Sequence, residues 1–119
     1  MRFVLDHIAK PDIKAGLIDP WRAELHELAQ MENVSCKLSG LVTEADHTTW
    51  QPANLKPYID HVMECFGFDR VMFGGDWPVS TLASDYPRWV ATLDTALRGS
   101  SPDELHKLYV RNAEHFYRV

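Results

Sequence analysis

The chain has 119 residues, 45% hydrophobic and 24% charged, with a formal net charge of -5 and a pI near 5.6. That is one domain at most, long enough to bury a core, and too acidic and too free of basic stripes for a nucleic-acid footprint. No apolar run approaches the ~20 residues of a membrane span, and the N-terminus has no signal-peptide pattern. Cys36 and Cys65 show neither metal spacing nor a disulfide framework. They read as buried thiols in a reducing cytoplasm.

In chain order, Arg2 to Asp6 reads as a strand, with Asp6-His7 where it should end. A loop follows through Gly16. Asp19-Pro20 then has the form of a helix start, Asp as N-cap and Pro at the first helical position. Trp21, Leu25, Leu28 and Ala29 form one apolar face of a helix ending near Met31. Asn33 to Leu38 alternates Val34, Cys36 and Leu38 against Ser35, Lys37 and Ser39, a period-2 strand that Gly40 ends.

A polar loop without periodicity, Thr43 to Pro52, leads to a second helical stripe of Leu55, Ile59, Val62, Met63 and Phe66, with Gly67 as its stop. Val71-Met72-Phe73 reads as a short buried strand, followed at once by Gly74-Gly75-Asp76-Trp77-Pro78. The glycines let the backbone bend or pass close to a neighbour, and the proline ends the segment. Trp89, Val90, Leu93 and Leu97 mark a helix over residues 86–98. Ser101-Pro102-Asp103-Glu104 is a capping box for another, and Asn112 to Tyr117 forms a final turn or short helix.

Strand, helix, strand, helix, strand, helix, helix is an α/β order, and the strand spacing of about thirty to forty residues suits right-handed βαβ units in a parallel sheet. Three parallel strands cannot close a barrel, so one edge stands open and favours self-association. The first strand starts at Phe3 with no turn or cap before it. That predicts a piece of something longer.

In a parallel sheet the C-terminal strand ends share one rim, where α/β proteins place ligands. Asp6-His7 and Asp76 fall on that rim from different strands. Imidazole plus carboxylate suits a metal site, or metal-free hydrolysis in which Asp takes a proton from water while His polarises the electrophile. The same residues also fit as turn caps and a satisfied rim histidine. Lys37 points toward the rim, to hold a substrate carboxylate or hydroxyl or to form a structural pair; Lys10 is a weaker candidate. Trp77 is either a stacking wall or packing beneath its loop. Trp21 and Trp89 read as core, and Trp50 has no assignment. His26, His61, His106 and His115 fall on helices away from the rim. No phosphate-binding glycine loop and no Gly-x-Ser-x-Gly occurs.

Phe3 to Pro11, Val34 to Leu41 and Arg70 to Val79, with Asn112-Ala113 and Phe116-Tyr117 at the end, resemble the amidohydrolase-related TIM-barrel hydrolases that include sugar-lactone and dicarboxylate lactonases. The resemblance runs over essentially the whole chain, in order. It implies that residues 1–119 are the C-terminal part of a (β/α)8 barrel, about three βα units, strands six to eight. It implies catalytic roles for His7 and Asp76, with Asp76 activating the attacking water. It also makes the same two residues ligands of a divalent metal, zinc or similar, if one is used; metal-independent hydrolysis is the other form. Lys37 and Trp77 would bind a small-molecule substrate.

Gly75 replaces the serine of the usual Gly-Ser-Asp-Trp-Pro. The family's His-x-His pair occurs nowhere in the chain, which leaves the site half built and predicts weak or no catalysis by these residues alone. A metal-dependent decarboxylase and a non-catalytic half-barrel association module are the alternatives.

Overall fold

The computed structural model describes residues 1–118. Among them β1 (Phe3–Leu5), β2 (Val34–Leu38) and β3 (Val71–Phe73) form a parallel sheet in the order β1-β2-β3. The α1 helix (Trp21–Ala29) joins β1 to β2; a short α2 (Leu41–Glu44) and α3 (Pro52–Phe66) join β2 to β3. After β3 come α4 (Tyr86–Ala96) and then α5 (Pro102–His106), which runs through a π turn (Lys107–Arg111) into α6 (Asn112–Tyr117). The α/β class and the parallel sheet are as expected.

Register decides which face is covered. Cys36 pairs with Leu5 and Val71, and Leu38 with Phe73; these residues face the helices and belong to the core or pack against it. Ser35 pairs with Val4, and Lys37 with Met72, on the opposite face. The alternation of β2 is therefore real, buried against half-buried along its length. Leu25, Leu38, Leu55, Ile59, Leu93 and Leu108 are at most 1% exposed. Each contributes about 1.5–3 kcal/mol relative to an exposed side chain.

Helix ends follow local chemistry with one correction. Gly67 stops α3 at φ 72°, its N–H bonding Met63 O at 2.9 Å. Ser101 and Glu104 close the expected box, at 2.9 and 3.1 Å. Asp19, however, caps nothing: Pro20 itself occupies the N-cap position of α1, with no side-chain cap. The first turn is held instead by backbone, Arg22 N–H to Ile18 O and Glu24 N–H to Pro20 O. The last segment is the expected short helix, α6, and it continues from α5 through the π turn. This places buried Leu108 against the core and lets Asn112 donate to Val71 O at 2.8 Å.

Three indoles tie the loops that follow the strands. Trp21 Nε1–H donates to Ile8 O, Trp50 Nε1–H to Ala83 O and Trp89 Nε1–H to Gly74 O, at 2.7, 2.7 and 3.0 Å. Trp21 and Trp89 are core as expected. Trp50 lies in the aperiodic loop yet is 2% exposed, with the Arg88 guanidinium 3.8 Å from its ring centroid. Cys36 is fully buried, whereas Cys65 is only partly so; its Sγ lies 3.4 Å from His61 Nε2 because α3 turns it toward α1 rather than the sheet.

Candidate active site

All three strands end at one rim. The chain leaving β1 passes Asp6 and then runs through four left-handed residues, His7 to Lys10, with φ of 50°, 47°, 64° and 49°. Non-glycine residues pay for that conformation, and runs of it are rare outside functional turns. Ile8 is buried as the turn's anchor, and its carbonyl takes the Trp21 bond. The turn thereby aims His7 inward across the end of β2, while Lys10 is exposed and away from the site.

At the end of β2 stand Lys37, Ser39 and Gly40. His7 Nδ1 and Ser39 Oγ are 2.7 Å apart. Beyond β3, Gly74 passes so close that a Cβ there would meet Ser39 Cβ at 2.7 Å and Lys37 Cδ at 2.9 Å. Only glycine allows that approach. Asp76 follows with φ 52°, its carbonyl accepting from Ser80 N–H at 2.8 Å. Its carboxylate turns back to the site: His7 Nε2 lies 3.7 Å from Asp76 Oδ1 and 3.4 Å from Asp6 Oδ2. Lys37 Nζ lies 3.5 Å from Asp6 Oδ1.

His7, Lys37 and Asp76, expected from the sequence, are thus brought together. The Asp76 side chain is 14% exposed and that of His7 24%, screened from water but open to a ligand. Trp77 sits at the margin, 74% exposed, so it does not pack beneath its loop. Burial works against the Lys37 ammonium, but Tyr117 and Asp6 beside it outweigh that and hold its pKa above the ordinary lysine value. It remains a cation at the rim.

Ser39 shares with Lys37 the face of β2 opposite its apolar residues, near the rim, but the sequence assigns it no role. Serine at a strand end is commonly a turn former, and nothing local marks it as a histidine partner.

Among the described residues no three histidine, cysteine, aspartate or glutamate side chains converge on one metal position. His7 and Asp76 are two donors, whereas a catalytic zinc takes three from protein. Asp6, the next carboxylate, is shared with the Lys37 ammonium. The residues present do not make a zinc site by themselves. A cleft of about 650 Å³ lies elsewhere, between α1 and α3, lined by His26, His61 and Cys65 among others. No helix among the described residues is long and apolar enough to cross a membrane.

The chain carrying this rim is similar along its length to known proteins. An L-fucono-1,5-lactonase of Burkholderia ambifaria is 42% identical over 123 residues, covering 100% of this chain and 42% of that protein. A second L-fucono-1,5-lactonase, of Burkholderia multivorans, is 45% identical over 92 residues, 70% of this chain and 31% of the relative. A crystal structure of an amidohydrolase from Burkholderia multivorans with bound zinc superposes with a TM-score of 0.94 at 35% identity, covering 99% of this chain and 44% of that one. The chain thus spans less than half the length of these relatives. The amidohydrolase family model matches residues 1–119 throughout, and the chain belongs to that family.

Proposed function

We propose that this rim is part of a site that hydrolyses the lactone of a sugar acid or a similar small carboxylated compound, and that the chain is the last three βα units of a (β/α)8 barrel. The relatives' lactonase names and the parallel sheet with its reactive groups at the C-terminal strand ends support both readings. The observation that carries the proposal is the 3.7 Å approach of His7 Nε2 and Asp76 Oδ1 from the first and third strands. The two groups come from different strands of one parallel sheet whose C-terminal ends share a rim, and that convergence supports reading them as parts of one site.

In this mechanism Asp76 takes a proton from water as the oxygen attacks the lactone carbonyl. His7 stabilises the negative charge that develops on the carbonyl oxygen. The ring C–O bond then breaks, and the proton held by Asp76 passes to the leaving alkoxide, giving the open hydroxy acid. Lys37 attracts a substrate carboxylate and the carboxylate product, and Trp77 offers its exposed ring face to the sugar. The alternative to that barrel is self-association of these residues through the edge of β1 that is open among the described residues, where Phe3 is 52% exposed.

The test is to graft the 119 residues in place of the matched segment of the Burkholderia ambifaria lactonase and assay hydrolysis of L-fucono-1,5-lactone. Hydrolysis well above background is expected. A folded graft with no hydrolysis of this or other sugar-acid lactones would overturn the reading.

A further inference from the structure

Ser39 is 1% exposed, and the partner of its hydroxyl is His7 Nδ1 at 2.7 Å. A hydroxyl has one hydrogen to donate, and a buried donor left without an acceptor costs about 1–3 kcal/mol. Two assignments of the neutral ring compete. With the proton on Nδ1, the ring donates to Ser39 Oγ and the hydroxyl hydrogen needs a second acceptor, which the hydrogen bonds among the described residues do not supply. With Nδ1 bare, the hydroxyl donates to it, and Nε2–H faces Asp6 Oδ2 at 3.4 Å and Asp76 Oδ1 at 3.7 Å. The second gives the hydroxyl proton an acceptor and turns a donor, rather than a lone pair, toward the two carboxylates.

The surroundings hold that geometry. Gly40, at φ 71°, lies against the ring, and Gly74 lies against Ser39 itself. Serine, histidine and aspartate in a row also suggest a nucleophilic triad, but the backbone of Gly74 covers Ser39 and no substrate carbonyl reaches a hydroxyl that is 1% exposed. Ser39 acts through His7.

We propose that Ser39 is a positioning residue that donates to His7 Nδ1 and so fixes His7 as the Nε2–H tautomer aimed at the carboxylates of Asp6 and Asp76. The catalytic meaning rests on the lactonase reading: Nε2–H becomes the ready-made donor for the oxygen that gains charge. The tautomer itself does not depend on that reading.

The experiment is long-range ¹H–¹⁵N correlation NMR on the ¹⁵N-labelled chain at alkaline pH, with the His7 signals assigned by their loss in His7→Gln. The expected spectrum has one tautomer, Nε2 protonated and Nδ1 bare but shifted upfield by an accepted hydrogen bond. Ser39→Ala should remove that shift and let an Nδ1–H population appear, while Ser39→Thr retains the wild-type pattern. A protonated Nδ1 in the wild type, or identical wild-type and Ser39→Ala spectra, would overturn the proposal. If Ser39→Ala does not fold, the wild-type spectrum decides alone, since a protonated or unshifted Nδ1 there contradicts it. No lactone is present, so a failed hydrolysis assay leaves this result standing.

Discussion

Gly40 backs the imidazole of His7: a Cβ at residue 40 would stand 3.0 Å from both Cγ and Nδ1 of that ring. Its φ of 71° adds a conformational cost of roughly 1–2 kcal/mol for any L side chain. Gly40→Ala should therefore lower stability by about that much or more, and also push the ring off Ser39. Denaturant titration reads the first effect, and a change in the His7 ring signals reads the second. A neutral substitution with unmoved ring signals would mean that the glycine is not what seats the histidine.

Trp50 joins the loop after β2 to the loop after β3 through its bond to Ala83 O and its stacking under Arg88. Trp50→Phe keeps most of the apolar bulk but leaves that carbonyl without its donor. A loss of about 1–3 kcal/mol in unfolding free energy is expected. A loss below the error of the titration would show that water replaces the indole there.

Phe73 is half-buried but contacts three rings, with centroid distances of 6.0 Å to Tyr86, 6.5 Å to Trp89 and 5.2 Å to Tyr109. It is where β3, α4 and the C-terminal helical run meet. Phe73→Ala should cost about 3 kcal/mol or more, measured by thermal or chemical unfolding. A near-neutral effect would remove β3 from the core.

Cys36 is fully buried, and that burial pushes its thiol up to about 12 from an ordinary 9.0. The unfolded chain loses this proton first, so the neutral thiol's contribution is fully present below about pH 9 and is lost as pH rises toward 12. Stability should fall through that window with a slope of up to ~1.4 kcal/mol per pH unit from this group. Cys36→Ala should flatten the slope relative to wild type. Parallel pH profiles would show that the thiol is not the source.

The elements that sequence made legible are those with a period or a local rule. Val34 to Leu38 alternates because one face meets helices, and Ser101 to Glu104 is a self-contained box. His7 and Asp76 could be placed on one rim because strand ends in a parallel sheet converge. What could not be read depends on distant partners. Trp50 sits in an aperiodic loop yet is buried, with its indole N–H donating to the carbonyl of Ala83, 33 residues away. The left-handed run from His7 to Lys10 contains no glycine, so nothing marked the turn that aims the imidazole. Asp19 looked like a cap because Asp-Pro usually is one, but backbone carbonyls already serve that turn. Ser39 became a histidine partner only once two strands stood side by side.

The central claim is that Asp76 activates water in lactone hydrolysis, with His7 beside it. In the grafted lactonase, kcat/KM for L-fucono-1,5-lactone should fall by about 100-fold or more in Asp76→Asn, the scale of a lost general base, while thermal stability stays close to that of the unsubstituted graft. Activity retained within a few fold by a folded Asp76→Asn protein would contradict the account.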